Sequence, residues 1–287
     1  MARLTAQRKR LLPYWLILPA GLWLVLFFLV PFYSLVANSL FDPTGSSLTG
    51  YRVTFHVQNF AHVLANYGPH LWRAVWWALV ATALCLVLGY ILAYAIAFKT
   101  GRWKNLILVL VVAPFFTSFL IRTNAWKLIL ADQGWLVRTL HHIHLLSPEG
   151  RLLNTSFAAI AGLTYNFLPF AILPLYTSIE KLDRRLIEAA SDLYASPPRA
   201  FLRVTLPLTL PGIVGATLLT FIPAVGDYIN AQLLGSPNDR VVGQDIESLF
   251  TTTNDYASAG ALSVILLVVI LAMTLTYVRK AGTEELL

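Results

Sequence analysis

The chain has 287 residues, a formal net charge of +7, and a composition of 57% hydrophobic and 12% charged residues. Soluble domains carry roughly 45–50% apolar and about 25% charged residues, so a soluble globular protein is excluded and an integral membrane protein is indicated. The single cysteine, Cys85, excludes an intramolecular disulfide and a cysteine-based metal site. Because the basic residues form short clusters beside apolar runs, the positive charge does not indicate a nucleic-acid surface.

Six apolar runs, each long enough to cross a bilayer, follow one another along the chain. They predict an all-α membrane protein with one transmembrane domain over residues 1–287 and spans at about 13–37, 71–98, 106–130, 157–178, 205–229 and 257–278. A cleaved signal peptide is the alternative for the first run, but its length and its Trp and Phe content favour a retained anchor. The third and fifth runs are the least regular, because they contain Pro114 and Pro223.

Basic residues are distributed unequally between the two sides of the predicted membrane. If the N-terminus is cytoplasmic, 14 of the 21 lysine and arginine residues lie in inner segments, as the positive-inside rule requires. This orientation predicts that both termini, and the segment between the fourth and fifth runs, are cytoplasmic. Eight of the 14 acidic residues lie outside or near an outer span end. They either favour the approach of cations or are ordinary solvated loop charges.

A short polar segment at about 182–200 separates the fourth and fifth runs. Five apolar residues recur in it at helical spacing and form one stripe: Leu182, Leu186, Ala189, Ala190 and Leu193. Glu188 lies on another face, and Pro197 and Pro198 are predicted to stop the helix. An amphipathic helix between two membrane spans is typical of a surface that docks onto another protein.

The stretch from Glu188 to Ile213 resembles the cytoplasmic EAA loop of ABC-importer permeases. It begins with Glu-Ala-Ala at 188–190 and closes with Leu206-Pro207 and Pro211-Gly212-Ile213. The resemblance implies a coupling helix that enters a groove of a separate ATPase, and its coupling residues are Glu188, Ala189, Ala190, Leu186, Leu193, Tyr194 and Arg199. Tyr194 stands where the family has glycine, which makes such a turn without steric strain. We therefore expect Pro197 and Pro198 to make the turn instead.

Three further stretches resemble motifs of the spermidine/putrescine branch of these permeases. They are 114–126 (PFFTSFLIRTNAW), 166–176 (NFLPFAILPLY) and 221–235 (FIPAVGDYINAQLLG). The resemblance implies a subunit of the bacterial inner membrane that forms the path for a polyamine by alternating access. It implies as partners a pair of ABC ATPases, a second homologous permease chain and an external solute-binding protein. The alternatives are another small solute, such as an anion or ferric ion, and a self-sufficient secondary carrier.

The sequence contains no GxxxxGK[ST] phosphate-binding motif, so the chain is not expected to be an enzyme that hydrolyses ATP. ATP and Mg are expected on the partner ATPase, and no cofactor is expected here. His141, His142 and His144 form an external cluster without a nearby cysteine. A solvated loop is therefore expected there rather than a metal site.

Asp227 is the carboxylate that the sequence favours for contact with the solute. A charge within a span is costly and usually faces a cavity or a partner, and a polyamine requires carboxylates for its ammonium groups and aromatic faces for its chain. Three aromatic residues are candidates for the second contact, although they are equally typical of an interfacial belt: Tyr228, Trp126 and Trp135. Arg122 would repel a polycation, so a gate or an ion pair is expected there. A structural pair of Asp227 with Arg122 or Lys127 is the competing interpretation.

Overall fold

The computed structural model describes residues 17–45, 50–147 and 149–281. An isolated antiparallel β-bridge joins Phe41 to Val53. In chain order the helices of the described residues are α1 (Ile17–Ser39), α2 (Gln58–Lys99), α3 (Lys104–Val112), α4 (Phe119–Leu130), α5 (Trp135–His142), α6 (Ser156–Glu180), α7 (Arg184–Asp192), α8 (Pro197–Leu208), α9 (Leu210–Gly226), α10 (Ile229–Leu234), α11 (Val242–Thr251) and α12 (Tyr256–Lys280). Helices α1 and α8 contain π-helical turns at Val25–Leu29 and Phe201–Thr205, and 3-10 turns lie at Gly101–Trp103 and Ala113–Phe116.

Four helices are long and apolar enough to cross a membrane, namely α1, α2, α6 and α12. Two further spans arise if each of two bent helix pairs counts as one span. The first pair is Gly101–Phe116 with Phe119–His142, bent by 94°, and the second is Pro197–Leu208 with Leu210–Gly226, bent by 67°. The all-α class is confirmed, with four to six candidate spans in the described residues. The two bent pairs coincide with the two runs that the sequence marked as irregular. Residues 13–16 of the first predicted span lie outside the described residues.

Both bends lie at or beside prolines. At the first, Pro114 lies in the 3-10 turn that follows α3, and Thr117 has an extended backbone before α4 begins. At the second, Thr209 separates α8 from α9, and Pro211 follows two residues later. Proline lacks an amide hydrogen and its ring clashes with the carbonyl four residues earlier, so a straight helix cannot continue through it. The third and fifth predicted runs are therefore each divided between two helices.

Helix α2 begins thirteen residues before the predicted start at 71. It has 42 residues, about twice the roughly 20 that a bilayer requires. Its first turns carry Asn59, His62 and Asn66, and these polar residues lower the hydropathy without ending the helix. Hydropathy therefore located the apolar part of α2 and missed its beginning.

The described residues divide into two compact units. The first comprises the described parts of 1–66 with 248–265, and the second those of 67–247 with 266–281. In the first unit, the Asn59 amide donates to the Ser39 and Phe41 carbonyls at 3.1 and 2.8 Å. The Tyr51 ring packs on Phe41 and meets Tyr256 edge-on at 4.8 Å between centroids. These contacts join the end of α1 to the starts of α2 and α12. That all 287 residues form one transmembrane domain stays a prediction.

Helix α6 is the most buried helix of the second unit. Thirteen of its 25 residues are buried, and small side chains allow its neighbours to approach closely, as is usual between membrane helices. A Cβ on Gly212 of α9 would lie 2.4 Å from Ser178 Cβ, so only glycine fits there. Helix α2 packs along α6 as well, and the Cys85 thiol donates to the Thr164 carbonyl at 3.3 Å. Cys85 is thus a core residue.

Candidate translocation and coupling sites

A buried chain of polar side chains lies where the broken helices meet α6. Asp227 follows the last residue of α9, and its Oδ1 accepts hydrogen bonds from the Asn230 backbone N–H at 2.8 Å and the Asn230 amide at 3.1 Å. Asn166 Nδ2 of α6 donates both to Asn230 Oδ1, at 3.1 Å, and to Thr123 Oγ1 of α4, at 3.2 Å. Asn166, Asn230 and Thr123 are at most 1% exposed. Side chains of three helices, α4, α6 and α10, are therefore joined, and Asp227 adds the link between α9 and α10.

The predicted run 205–229 implied that Asp227 lies within a helix, but Asp227 lies between two helices. Helix α9 ends at Gly226, and α10 begins at Ile229. The carboxylate accepts from the buried Asn230 N–H in the first turn of α10, which is a common role for an aspartate just before a helix. Both hydrogen bonds from Asn230 go to Oδ1, and Oδ2 accepts no hydrogen bond from the described residues. One oxygen of a half-buried carboxylate is thus left for another donor.

The aromatic candidates have different surroundings. Trp126 packs against a core cluster formed by Leu130, Ala158 and Leu234, and its ring meets Tyr165 edge-on at 5.2 Å. Tyr228 directly follows Asp227 and is 36% exposed, while Trp135 begins α5 and is 67% exposed. Tyr228 is therefore the aromatic candidate adjacent to the carboxylate, and Trp126 is mainly a packing residue.

Arg122 has no carboxylate partner within the described ranges. Its guanidinium carbon lies 5.1 Å from the Phe115 ring centroid and 5.7 Å from that of Phe119, and its buried Nε has no hydrogen-bond partner there. The ion pairs of the described residues do not join Asp227 to Arg122 or Lys127. A structural ion pair at Asp227 is thus not supported.

A second polar cluster was not anticipated from the sequence. Asp245 of α11 is 3% exposed, and its carboxylate contacts His70 Nδ1 at 2.6 Å and Arg240 Nε at 3.0 Å. Arg73 of α2 donates to the Arg240 carbonyl at 2.7 Å. Asp245 and its partner His70 lie 175 residues apart in sequence. No local signal could have indicated this pairing.

Helix α7 lies inside the predicted coupling segment 182–200 and buries none of its side chains. Asp183 caps it, since the carboxylate accepts from the Arg185 N–H at 3.0 Å. Leu186 is 47% and Leu193 82% exposed. Glu188, Ala189 and Arg199 are also exposed, and Ala190 is half-buried. Glu188 forms no ion pair within the described residues.

The turn after α7 is made by Tyr194 and not by the proline pair, so that expectation was wrong. Tyr194 has φ +58° and is 96% exposed. Its N–H donates to the Ser191 carbonyl at 2.9 Å, and the Ala195 N–H donates to the Ala190 carbonyl at 3.0 Å. This is the Schellman arrangement, which places a left-handed residue, usually glycine, just after the helix. The left-handed position thus coincides with the family's glycine.

Pro197 and Pro198 do not stop α7, which has already ended at Asp192. They occupy the first turn of α8 instead. Proline is favoured there because its fixed φ suits a helix and its missing N–H would have no intrahelical partner. In the segment 182–200, a left-handed turn thus joins α7 to the start of α8.

Comparison with known proteins assigns the chain to a family. Residues 12–281 match the family described as binding-protein-dependent transport system inner membrane component. The chain belongs to this family. It is 38% identical to the spermidine/putrescine transport system permease protein PotB of Haemophilus influenzae, over 90% of each chain. It is 36% identical to PotB of Escherichia coli K12, over 90% of this chain and 94% of that one.

Two solved structures share the fold of this chain. A bacterial ABC transporter that imports the acidic polysaccharide alginate matches with a TM-score of 0.73 at 20% identity, over 98% of this chain and 99% of that one. The bacterial alginate transporter in complex with an alginate-bound periplasmic protein matches with a TM-score of 0.71, also at 20% identity and with the same coverage. At this identity the match concerns the fold and not the solute.

Proposed function

We propose that this chain is the permease subunit of an ABC importer for a small cationic solute, a polyamine such as spermidine or putrescine. The observation that carries the proposal is the 36–38% identity to PotB proteins over 90% of this chain. Relatives of this kind are transport subunits and not enzymes. The absence of a phosphate-binding motif from the sequence agrees with that role, so ATP and Mg belong to a partner ATPase.

The surroundings of Asp227 support a cationic solute. Its two hydrogen bonds to Asn230 fix the carboxylate through Oδ1 and leave Oδ2 for an ammonium group. The adjacent Tyr228 ring offers a face for cation–π contact with the same solute. In this proposal, Trp126 packs behind the solute path, the exposed Trp135 lies at the outer entrance of the path, and Arg122 acts as a gate within it.

The rest of the machine follows from the family resemblance and the charge distribution. The chain has six spans with both termini in the bacterial cytoplasm, and α7 is the coupling helix between the fourth and fifth spans. Glu188, which forms no ion pair among the residues that the structure describes, and the exposed Leu186 and Leu193 suit a groove of the ATPase that contains a basic residue. A second homologous permease completes the path, and an external binding protein delivers the solute. ATP-driven closure of the ATPases then switches the cavity from outward- to inward-facing.

One observation favours a different solute. Arg122 has a buried Nε without a partner in the described residues and lies one position before Thr123 of the polar chain. An anion would satisfy this guanidinium, which suits a carboxylate or phosphate geometrically. The second candidate is therefore an importer of the same design for a small anion.

The test removes the charge of Asp227 and retains the oxygen that accepts both hydrogen bonds from Asn230. We expect Asp227→Asn to keep both hydrogen bonds from Asn230 and to reduce ATP-driven spermidine uptake at least tenfold, since an amide cannot neutralise an ammonium group. Asp255→Asn is the matched control, because Asp255 caps α12 in the same way, by accepting from the Ser258 N–H at 3.0 Å. Equal uptake by the two variants would remove Asp227 from the solute path. ATP-driven uptake of a small anion that Arg122→Gln abolishes and Asp227→Asn leaves unchanged would favour the anion.

A further inference from the structure

The C-terminal end of α2 carries three aromatic residues on one face. Tyr90, Tyr94 and Phe98 follow each other at intervals of four residues, so they lie one above another along the helix. The Tyr94 and Phe98 rings are in contact, with centroids 4.7 Å apart. All three side chains are only half-buried. We call these three residues the α2 stripe.

One end of the coupling segment is attached to this stripe by Arg184, the first residue of α7. Its guanidinium lies 5.0 Å from the centroid of the Phe98 ring and donates to the Ala97 carbonyl at 3.1 Å. Ala97 lies in the last turn of α2, where carbonyls lack an intrahelical partner and a positive charge is favoured by the helix dipole. Arg184 therefore binds α2 rather than pairing with Glu188 one turn further along α7.

The other end is attached through α8 and the bend that follows it. The Phe201 ring meets Tyr90 and Tyr94 edge-on, with centroids 5.5 and 6.3 Å apart. The Tyr90 hydroxyl is 2.8 Å from Thr209 Oγ1. Thr209 is fully buried and is the residue at which the chain bends by 67° between α8 and α9. The α2 stripe thus contacts both the bend, through Tyr90 and Thr209, and helix α8 before it, through Phe201.

From these contacts we infer that the α2 stripe transmits the movement of the coupling helix to the membrane spans, with Arg184 and Tyr90 as positioning residues. Because α7 buries no side chain, a force on it passes through specific attachments rather than through packing. Movement of α7 is passed to α2 directly by Arg184. It is also passed through α8, which carries Phe201, to the bend before α9. Both attachments end on one face of one helix, so α2 and α9 respond together. The inference rests on the proposed docking of an ATPase on α7.

The experiment measures solute imported per ATP hydrolysed by the complete complex in proteoliposomes, supplied with its binding protein and spermidine. Tyr90→Phe removes the hydroxyl and retains the ring against Phe201, and Arg184→Gln removes the charge. Tyr277→Phe is the control for the first, since Tyr277 makes a similar tyrosine–threonine hydrogen bond to Thr217 of α9, at 3.0 Å. Arg185→Gln is the control for the second, because Arg185 is the exposed neighbour.

We expect Tyr90→Phe and Arg184→Gln to assemble with the ATPase and hydrolyse ATP, yet to import about fivefold less solute per ATP, the factor that one hydrogen bond is worth. Both controls should keep the wild-type ratio. Wild-type ratios in both test variants, or failure of both to assemble, would overturn the inference. A separate variant with Glu188, Leu186 and Leu193 all replaced by alanine tests the docking itself. If it transports normally, the proposed coupling role fails, whatever the ratios of the two stripe variants.

Discussion

Replacing Tyr194 by glycine should strengthen the turn after α7. Tyr194 holds φ +58°, a left-handed conformation that disfavours any residue with a Cβ by about 1–2 kcal/mol. Glycine relieves this strain and adds roughly 0.5–1 kcal/mol of backbone entropy to be lost on folding. Because the Tyr194 side chain is 96% exposed, its removal eliminates little packing. The midpoints of these two ranges leave a net gain of about 0.7 kcal/mol in the stability of the turn, or a factor of about three in the equilibrium between its closed and open forms.

Hydrogen exchange of the purified chain in detergent measures this gain directly. The N–H groups of Tyr194 and Ala195 make the two hydrogen bonds of the turn, so the amides of residues 194 and 195 should exchange about three times more slowly in Tyr194→Gly. Tyr194→Ala is the control, since it removes the ring and retains the Cβ. Equal protection in the alanine and glycine variants would show that the ring, and not the backbone conformation, determines the stability of this turn.

Three further predictions concern packing, docking and the polar chain. Gly162→Ala should lower the free energy of unfolding in detergent by about 1–3 kcal/mol, because the added Cβ would lie 2.4 Å from Leu234 Cδ1. Gly215→Ala is the control and should be tolerated, since its added Cβ would have its nearest neighbour at 3.6 Å. Thermal unfolding compares the two variants. Glu188→Ala should weaken copurification of the ATPase or lower solute-stimulated ATP hydrolysis, while membrane insertion of the chain stays normal. Unchanged copurification together with unchanged hydrolysis would contradict the docking role. Asn166→Ala should destabilise the fold by about 1–3 kcal/mol, because Asn230 Oδ1 loses its buried donor; an unchanged unfolding temperature would show that the polar chain contributes no stability.

The long apolar helices were predictable from the sequence. The fourth and sixth spans, expected at 157–178 and 257–278, are helices at Ser156–Glu180 and Tyr256–Lys280. Each apolar run there ends close to a polar or charged residue, so hydropathy and helix end at nearly the same place. The start of α2 could not be found in this way, because its polar first turns have a helical backbone without membrane-like hydropathy.

The arrangement around Asp227 was only partly predictable. A carboxylate in an apolar run marked the position, but its partners Asn230, Asn166 and Thr123 come from three separate helices. Lone polar residues within apolar runs, such as Asn166 and Thr123, are the sequence signal for such a chain. Their pairing depends on tertiary packing, and local patterns carry no information about it. At Tyr194, by contrast, the family's glycine marked the position that requires a left-handed backbone, and only the assignment of the turn to the prolines was wrong.

The most direct test of the central claim is uptake of labelled spermidine by proteoliposomes that contain this chain, its partner permease and its ATPase. With binding protein outside and ATP inside, we expect accumulation against a gradient, inhibited by putrescine and absent without ATP or without the ATPase. Flux of spermidine through the chain alone in ATP-free liposomes would indicate a self-sufficient carrier. ATP-driven accumulation of an anion in place of spermidine would contradict the assignment of a polyamine.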